Sequence, residues 1–185
     1  MRMKLHRKSS GRRDGFTLLE AMISIVVLSF GILSLAGIYA QGIFYASLSQ
    51  YDYVAEKKAE QAVEAIFTAR DIKQLTWASI QNQSSNGVFL DGPQPMLVPG
   101  GDGLVGTATD SNSTHEYITI GPGADGVLGT SDDQLVDLNP WMTRTIAISP
   151  VSGETNLRMI TVTVNYQVGR VNRSYTLVSY ISAFA

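Results

Sequence analysis

The sequence predicts an α+β protein in which one long N-terminal α-helix, membrane-spanning over its first half, packs on a C-terminal antiparallel β-sheet. Three observations predict it. From Ala21 to Ala40 there is no charged side chain. From Val54 to Ala69 apolar residues recur at three- and four-residue spacings. Beyond residue 141, runs rich in Val, Ile, Thr and Tyr alternate apolar with polar positions. An uninterrupted apolar run, a helical period and a period of two belong to a lipid span, a half-buried helix and a half-buried sheet respectively.

The 185 residues suffice for one domain with a modest core. They divide into a basic leader over 1–15, an apolar helix over 16–48, its amphipathic continuation over 49–75, turn-rich variable loops over 76–140 and an antiparallel sheet over 141–185. The formal charge of −2 hides an asymmetry. Arg2, Lys4, Arg7, Lys8, Arg12 and Arg13 stand in the leader against one acid, Asp14, leaving eight basic and fifteen acidic residues downstream. An acidic main domain argues against a nucleic-acid partner. Cysteine is absent, which excludes disulfides, thiolate metal sites and cysteine nucleophiles. Of the two histidines, His115 could serve a Ser-His-Asp relay, but no Gly-x-Ser-x-Gly elbow or other nucleophile signature accompanies it. No enzyme activity is read from the chain.

The 20 residues from Ala21 to Ala40 match the thickness of a bilayer core. Six positive charges before them place the leader in the cytoplasm and the C-terminal domain on the far side of the membrane. A secretory signal peptide shares this layout, and Ser34-Leu35-Ala36 offers a small-x-small cleavage site. Against that, the apolar segment continues through Ile38, Tyr39, Ile43 and Phe44, and Glu20 stands at its start. An unpaired carboxylate near the bilayer centre costs about 2 to 3 kcal/mol or more, so an intramembrane acid is a functional candidate.

Gly15-Phe16-Thr17-Leu18-Leu19-Glu20, after a short basic leader and before an apolar helix, resembles the processing site of the type IV pilin superfamily. The resemblance implies that a prepilin peptidase cuts after Gly15 and methylates the new amine of Phe16. A residue without Cβ lets the enzyme approach the backbone closely. It also implies that Glu20 pairs with the terminal amine of an adjacent subunit during assembly, which would compensate its burial. The run Val26-Val27-Leu28-Ser29-Phe30-Gly31-Ile32-Leu33-Ser34-Leu35-Ala36-Gly37 is similar to the minor pilins known as type IV pilus modification protein PilV. The expected fold is then pilin-like, and residues 16–48 form a transmembrane helix that becomes the filament core. The expected function is that of a minor pilin, a structural subunit in pilus assembly. Its implied partners are the prepilin peptidase, other major and minor pilins, and the inner membrane before export to the pilus and cell surface. A minor pseudopilin of type II secretion shares this N-terminus, and a secreted calcium-binding surface protein with a signal peptide remains a reading from another class.

Gly31, Gly37 and Gly42 favour close helix packing, with local melting or bending as the competing use. No strong breaker follows Leu48. Val54, Ala55, Ala59, Ala62, Val63, Ile66 and Ala69 form one stripe, with Glu56, Lys57, Glu60 and Glu64 on other faces. A single helix from Phe16 to about Asp71 would span roughly 84 Å at about 1.5 Å per residue.

An internal repeat lies in the loops. Pro99 to Asp110 aligns with Pro122 to Asp133 at an offset of 23 residues, with seven of twelve positions identical. Asp-Gly pairs favour tight turns, so the two copies read as similar loops flanking a strand from His115 to Ile120. The same copies are candidate calcium sites. Asp125, Asp132 and Asp133 supply hard oxygen ligands in the second, Asp102 and Asp110 in the first, without the EF-hand spacing. Possible calcium is the only cofactor read. Strands are expected at Thr143 to Ser149, Leu157 to Val168 and Asn172 to Ser182, with Val168-Gly169-Arg170-Val171 turning the last two into a hairpin. Trp77 and Trp141 are expected to be core or loop anchors.

Overall fold

A computed structural model describes residues 17–110 and 114–184. The chain divides into two compact units, Met1–Tyr45 and Ala46–Ala185. Helix α1, Leu18–Asp71, contributes to both and is continuous over 54 residues.

In the first unit every residue from Leu18 to Tyr45 is exposed. Leu, Ile, Val and Phe occupy all sides of the helix here, so there is no single apolar stripe. That is the pattern of a helix surrounded by apolar material rather than one laid on a domain. The three serines in the run complete their own hydrogen bonding. The hydroxyls of Ser24, Ser29 and Ser34 donate to the carbonyls of Glu20, Ile25 and Phe30 at 2.8, 2.7 and 2.8 Å. A hydroxyl satisfied one turn back needs no water, which makes it tolerable in lipid.

In the second unit α1 is one-sided. Leu48, Ala55, Ala59, Ala62, Val63, Ile66 and Ala69 are buried, and they form one core with the sheet. The alanines let the helix axis approach the sheet closely, while Lys57 and Glu60 face solvent and pair at 2.6 Å. Among the described residues six strands follow in chain order: β1 Gln94–Pro95, β2 Tyr117–Gly121, β3 Gln134–Asp137, β4 Met142–Val151, β5 Glu154–Val168 and β6 Val171–Ser182. Four make an antiparallel sheet in the order β1-β4-β5-β6, and β2 and β3 form a separate antiparallel pair. The strands at the C-terminus lie where the alternation places them, with Ile160, Val162, Val164, Tyr166 and Val168 buried in succession. Opposite them, Met142, Ile146 and Ile148 face Tyr166, Val162 and Ile160 across the ladder. Gly169, at φ 60°, supplies the positive dihedral of the two-residue turn between Val168 and Val171.

The short strands β1 and β3 carried no periodic signal. β1 covers only Arg144 and Thr143 of β4. Further along the same edge, the Asn82 side chain takes the place of a strand: its Nδ2 donates to the Ile146 carbonyl at 2.7 Å, and its Oδ1 accepts from the Ile148 amide at 2.7 Å. One amide thereby satisfies two buried backbone groups.

Arg144 interrupts the apolar face of β4. Its side chain is buried, with Nη2 3.1 Å from Glu116 Oε1, and Glu116 Oε2 lies 2.5 Å from Lys58 Nζ on α1. The latter contact is off-angle for a hydrogen bond, but the separation makes it an ion pair. Arg144 Nε and Nη1 have no hydrogen-bond partner among the described residues. Removing Glu116 would leave two cations against the core, the costly way to break a buried pair. A second tie runs from Tyr166, whose hydroxyl donates to Asp52 of α1, and Arg173 of β6 stands 3.3 Å from the same carboxylate. At the other end of the helix, Arg70 Nη1 donates to the Ser182 carbonyl at 3.1 Å.

Candidate functional site

Gly15 and Phe16, the expected cut site and methylated residue, lie outside the described residues. The first residue beyond them, Thr17, caps the helix: its Oγ1 accepts from the Glu20 amide at 3.2 Å. Threonine three residues before a glutamate is the spacing of a capping box, a signal that the motif itself contains. Glu20 therefore falls in the first turn of α1. The exposed amides there carry partial positive charge, which favours a carboxylate at that position. Its carboxylate is exposed and unpaired among the described residues. The arrangement offers one anionic group at the tip of an apolar helix, open to a cation from elsewhere. Beyond it α1 runs unbroken through Gly31, Gly37 and Gly42, and a Cβ at any of the three would meet nothing within 4 Å. Nothing among the described residues requires those glycines.

The two repeat copies share their aspartate-to-amide hydrogen bonds and differ in the acid that the threonine hydroxyl meets, Asp102 in the first and Asp132, the counterpart of Thr109, in the second. In the first, Asp102 Oδ1 accepts from the Leu104 amide at 3.1 Å, Asp110 Oδ2 accepts from the Gly106 amide at 2.7 Å, and the Thr107 hydroxyl donates to Asp102 at 2.9 Å. In the second, Asp125 Oδ1 accepts from the Val127 amide at 2.8 Å, Asp133 Oδ2 accepts from the Gly129 amide at 2.7 Å, and the Thr130 hydroxyl donates to Asp132 at 2.7 Å. Gly100 and Gly123 hold equivalent places, each so close to a backbone carbonyl, of Thr109 and of Asp132, that a Cβ would overlap it. The candidate calcium ligands thus accept from the loop's own amides and hydroxyls. Among the described residues, no group of three or more His, Cys, Asp or Glu side chains converges as a metal set. Hydrogen bonds from Thr130 and from the Asp125 amide hold the Asp132 carboxyl below its ordinary range. Partial burial raises Asp110, and the bonds from Gly106 and Thr107 and the charge of Arg144 offset only part of that.

The copies sit differently in the domain. The first lies on the core, and the second connects β2 to β3. His115 Nδ1 lies 2.7 Å from Asp137 at the end of that hairpin, and this hydrogen bond lowers the Asp137 carboxyl. No serine hydroxyl joins the pair among the described residues. Trp77 is half-buried, with the Arg158 guanidinium 4.1 Å over its ring, an anchoring contact. Trp141, expected as a core or loop anchor, lies outside the core. Its neighbour Met142 opens β4 facing the core, so the preceding residue turns outward and is 52% exposed.

The family model described as the prokaryotic N-terminal methylation motif matches residues 11–36. Comparisons with curated proteins and with solved structures each return no match. The matched segment takes in the leader's end, the glycine, the capped helix start and most of the apolar run. Together with a long helix on an antiparallel sheet, it supports a type IV pilin-like or pseudopilin-like protein, a class of structural subunits. The motif implies processing by a prepilin peptidase and assembly with other pilins. The apolar helix fits a membrane-anchored protein of that class.

Proposed function

We propose that this chain is a minor pilin. Cleavage after Gly15 and methylation of Phe16 prepare it, and it waits in the inner membrane with its C-terminal domain in the periplasm before joining or priming a type IV pilus. The observation that carries this reading is the methylation motif over residues 11–36, set at the head of a helix whose apolar surface is exposed on every side. Such a helix has two environments available to it, lipid and a bundle of like helices. The open space around Gly31, Gly37 and Gly42 suits close packing against neighbouring helices. Glu20, in the first helical turn and unpaired among the described residues, would receive the amine of an adjacent subunit. The likeness of Val26 to Gly37 to minor pilins of the PilV type supports the subfamily.

Mass spectrometry of the mature chain tests the reading. N-methyl-Phe16 is the expected terminus, and one near Gly37 would indicate a signal peptide and a secreted protein instead. Glu20→Ala is expected to be cleaved normally but to enter pili at least about tenfold less, the order set by leaving an apolar-phase charge partner unpaired. Undiminished incorporation would remove Glu20 from assembly. Recovery of the methylated chain with a type II secretion assembly, rather than with pili, would make it a pseudopilin.

A further inference from the structure

The two repeat copies are built alike and used differently. Each presents an apolar pair after its Asp-Gly turn, Leu104-Val105 in the first and Val127-Leu128 in the second. The first pair is buried, with both residues 2% exposed. The second pair is 56% and 64% exposed. What the first copy rests on is defined. The Gly106 carbonyl accepts from the Leu90 amide at 2.7 Å, and Thr107 bridges Phe89 in antiparallel fashion. Ile146 lies against Gly106, Gln74 Nε2 donates to the Asp102 carbonyl at 2.8 Å, and the charge of Arg144 acts on Asp110. The socket is therefore an apolar hollow beside an extended backbone, with one amide donor and one buried cation. None of these has a counterpart at the second copy: among the described residues Thr130 makes no bridge, and no cation pairs with Asp133.

We propose that the second loop is a docking knob whose Val127 and Leu128 enter a socket of the same kind on a neighbouring protein subunit. The geometry specifies that partner by chemistry. It presents an apolar hollow for two branched side chains, an extended segment whose amide reaches the Gly129 carbonyl and bridges Thr130, and an arginine or lysine opposite Asp133. The loop is ready for such a contact, because its own hydrogen bonds fix its shape before binding and little ordering remains to oppose association. Its acids argue against insertion into an anionic lipid surface. The internal precedent is direct: a twelve-residue segment identical at seven positions, with the same aspartate-to-amide hydrogen bonds, is already seated in this chain once.

Full-length protein in its native cells provides the test, with a photo-cross-linking benzoylphenylalanine at Leu128 and, as a control, at exposed Val178 of β6. The expected result is one dominant cross-linked protein at Leu128, its attachment point mapping to an apolar residue beside an extended segment with an Arg or Lys nearby. The partner is a different subunit with that socket; a dominant cross-link to a second copy of this chain, whose own socket Leu104 and Val105 already fill, also overturns the proposal. Cross-links to lipid alone, none at all, or a scatter matching the Val178 control overturn the proposal. A V127S/L128S double variant is expected to lose that partner at least about tenfold, since both burials are removed. Its thermal melting in detergent should stay that of the parent, whereas Leu104→Ser should melt lower. Retention of the partner by V127S/L128S also overturns the knob. The mature terminus is read in the same samples: N-methyl-Phe16 without a specific Leu128 cross-link sinks the knob and leaves the pilin reading intact, and the reverse result does the opposite.

Discussion

One helix passes through two regimes. From Leu18 to Tyr45 it is apolar all round and exposed all round, whereas beyond Ala46 it is amphipathic, with a buried row of small residues. The backbone is the same in both, so secondary structure does not distinguish them. What differs is who supplies the apolar partner. The second half carries its own partner in the strands from Met142 to Ser182. The first half has no such partner among the described residues, and its serine hydroxyls bond one turn back within the helix. A substitution should therefore be felt through the fold in one half and through assembly in the other.

Breaking that contrast at the helix gives the largest expected effect. Ala59 is fully buried between helix and sheet, so Ala59→Phe should destabilise the C-terminal domain by about 3 kcal/mol or more through overpacking. Ser29→Phe, on the exposed half, should leave the melting temperature of that domain unchanged. Thermal unfolding followed by near-ultraviolet circular dichroism in detergent reads both, and equal losses would dissolve the distinction. A smaller effect is expected in the sheet that covers the second half. Asn82→Leu orphans the Ile146 carbonyl and the Ile148 amide together, which should cost about 2 to 4 kcal/mol in denaturant titration. An unchanged midpoint would mean that water replaces the amide at that edge.

The smallest effect comes from the tie between Asp52 and Tyr166. Burial, then the hydrogen bond and charge of Asp52, push the Tyr166 hydroxyl from 10.0 up to about 12. A proton held more tightly in the folded state stabilises that state fully below pH 10, and the contribution is lost as pH rises from 10 through about 12. Tyr166→Phe should cost about 1 kcal/mol at neutral pH and flatten the alkaline fall in stability between those limits. If the parent and Tyr166→Phe lose stability in parallel over that range, this tie between the helix and β5 contributes nothing measurable.

Where a single local period controlled the outcome, the sequence was legible. The stripe from Ala55 to Ala69 and the alternation from Ile160 to Val168 are both buried where their spacing places them. The spacing of Thr17 and Glu20 also contained the helix cap, although the motif reads first as a processing signal. The Asn82 bridge carried no signal, because an asparagine in a turn-rich stretch looks the same whether it bonds to its own loop or to a strand 64 residues away. Arg144 likewise reads as an ordinary outward position of a strand, and only the arrival of Glu116 and Lys58 from two other elements makes its burial tolerable.

The sequence by itself determined the long helix, the division of its two halves, the sheet faces and the methylation motif, because each rests on residues within a turn or a strand of one another. It also determined the turns within both Asp-Gly loops, whose aspartates accept from amides of the same loop. Only the tertiary structure decided that Leu104 and Val105 are core while Val127 and Leu128 are surface. Two twelve-residue segments that share their Asp-Gly turn and an apolar pair do not by themselves encode that difference, since it depends on whether Phe89, Leu90 and Ile146 come to lie beneath them.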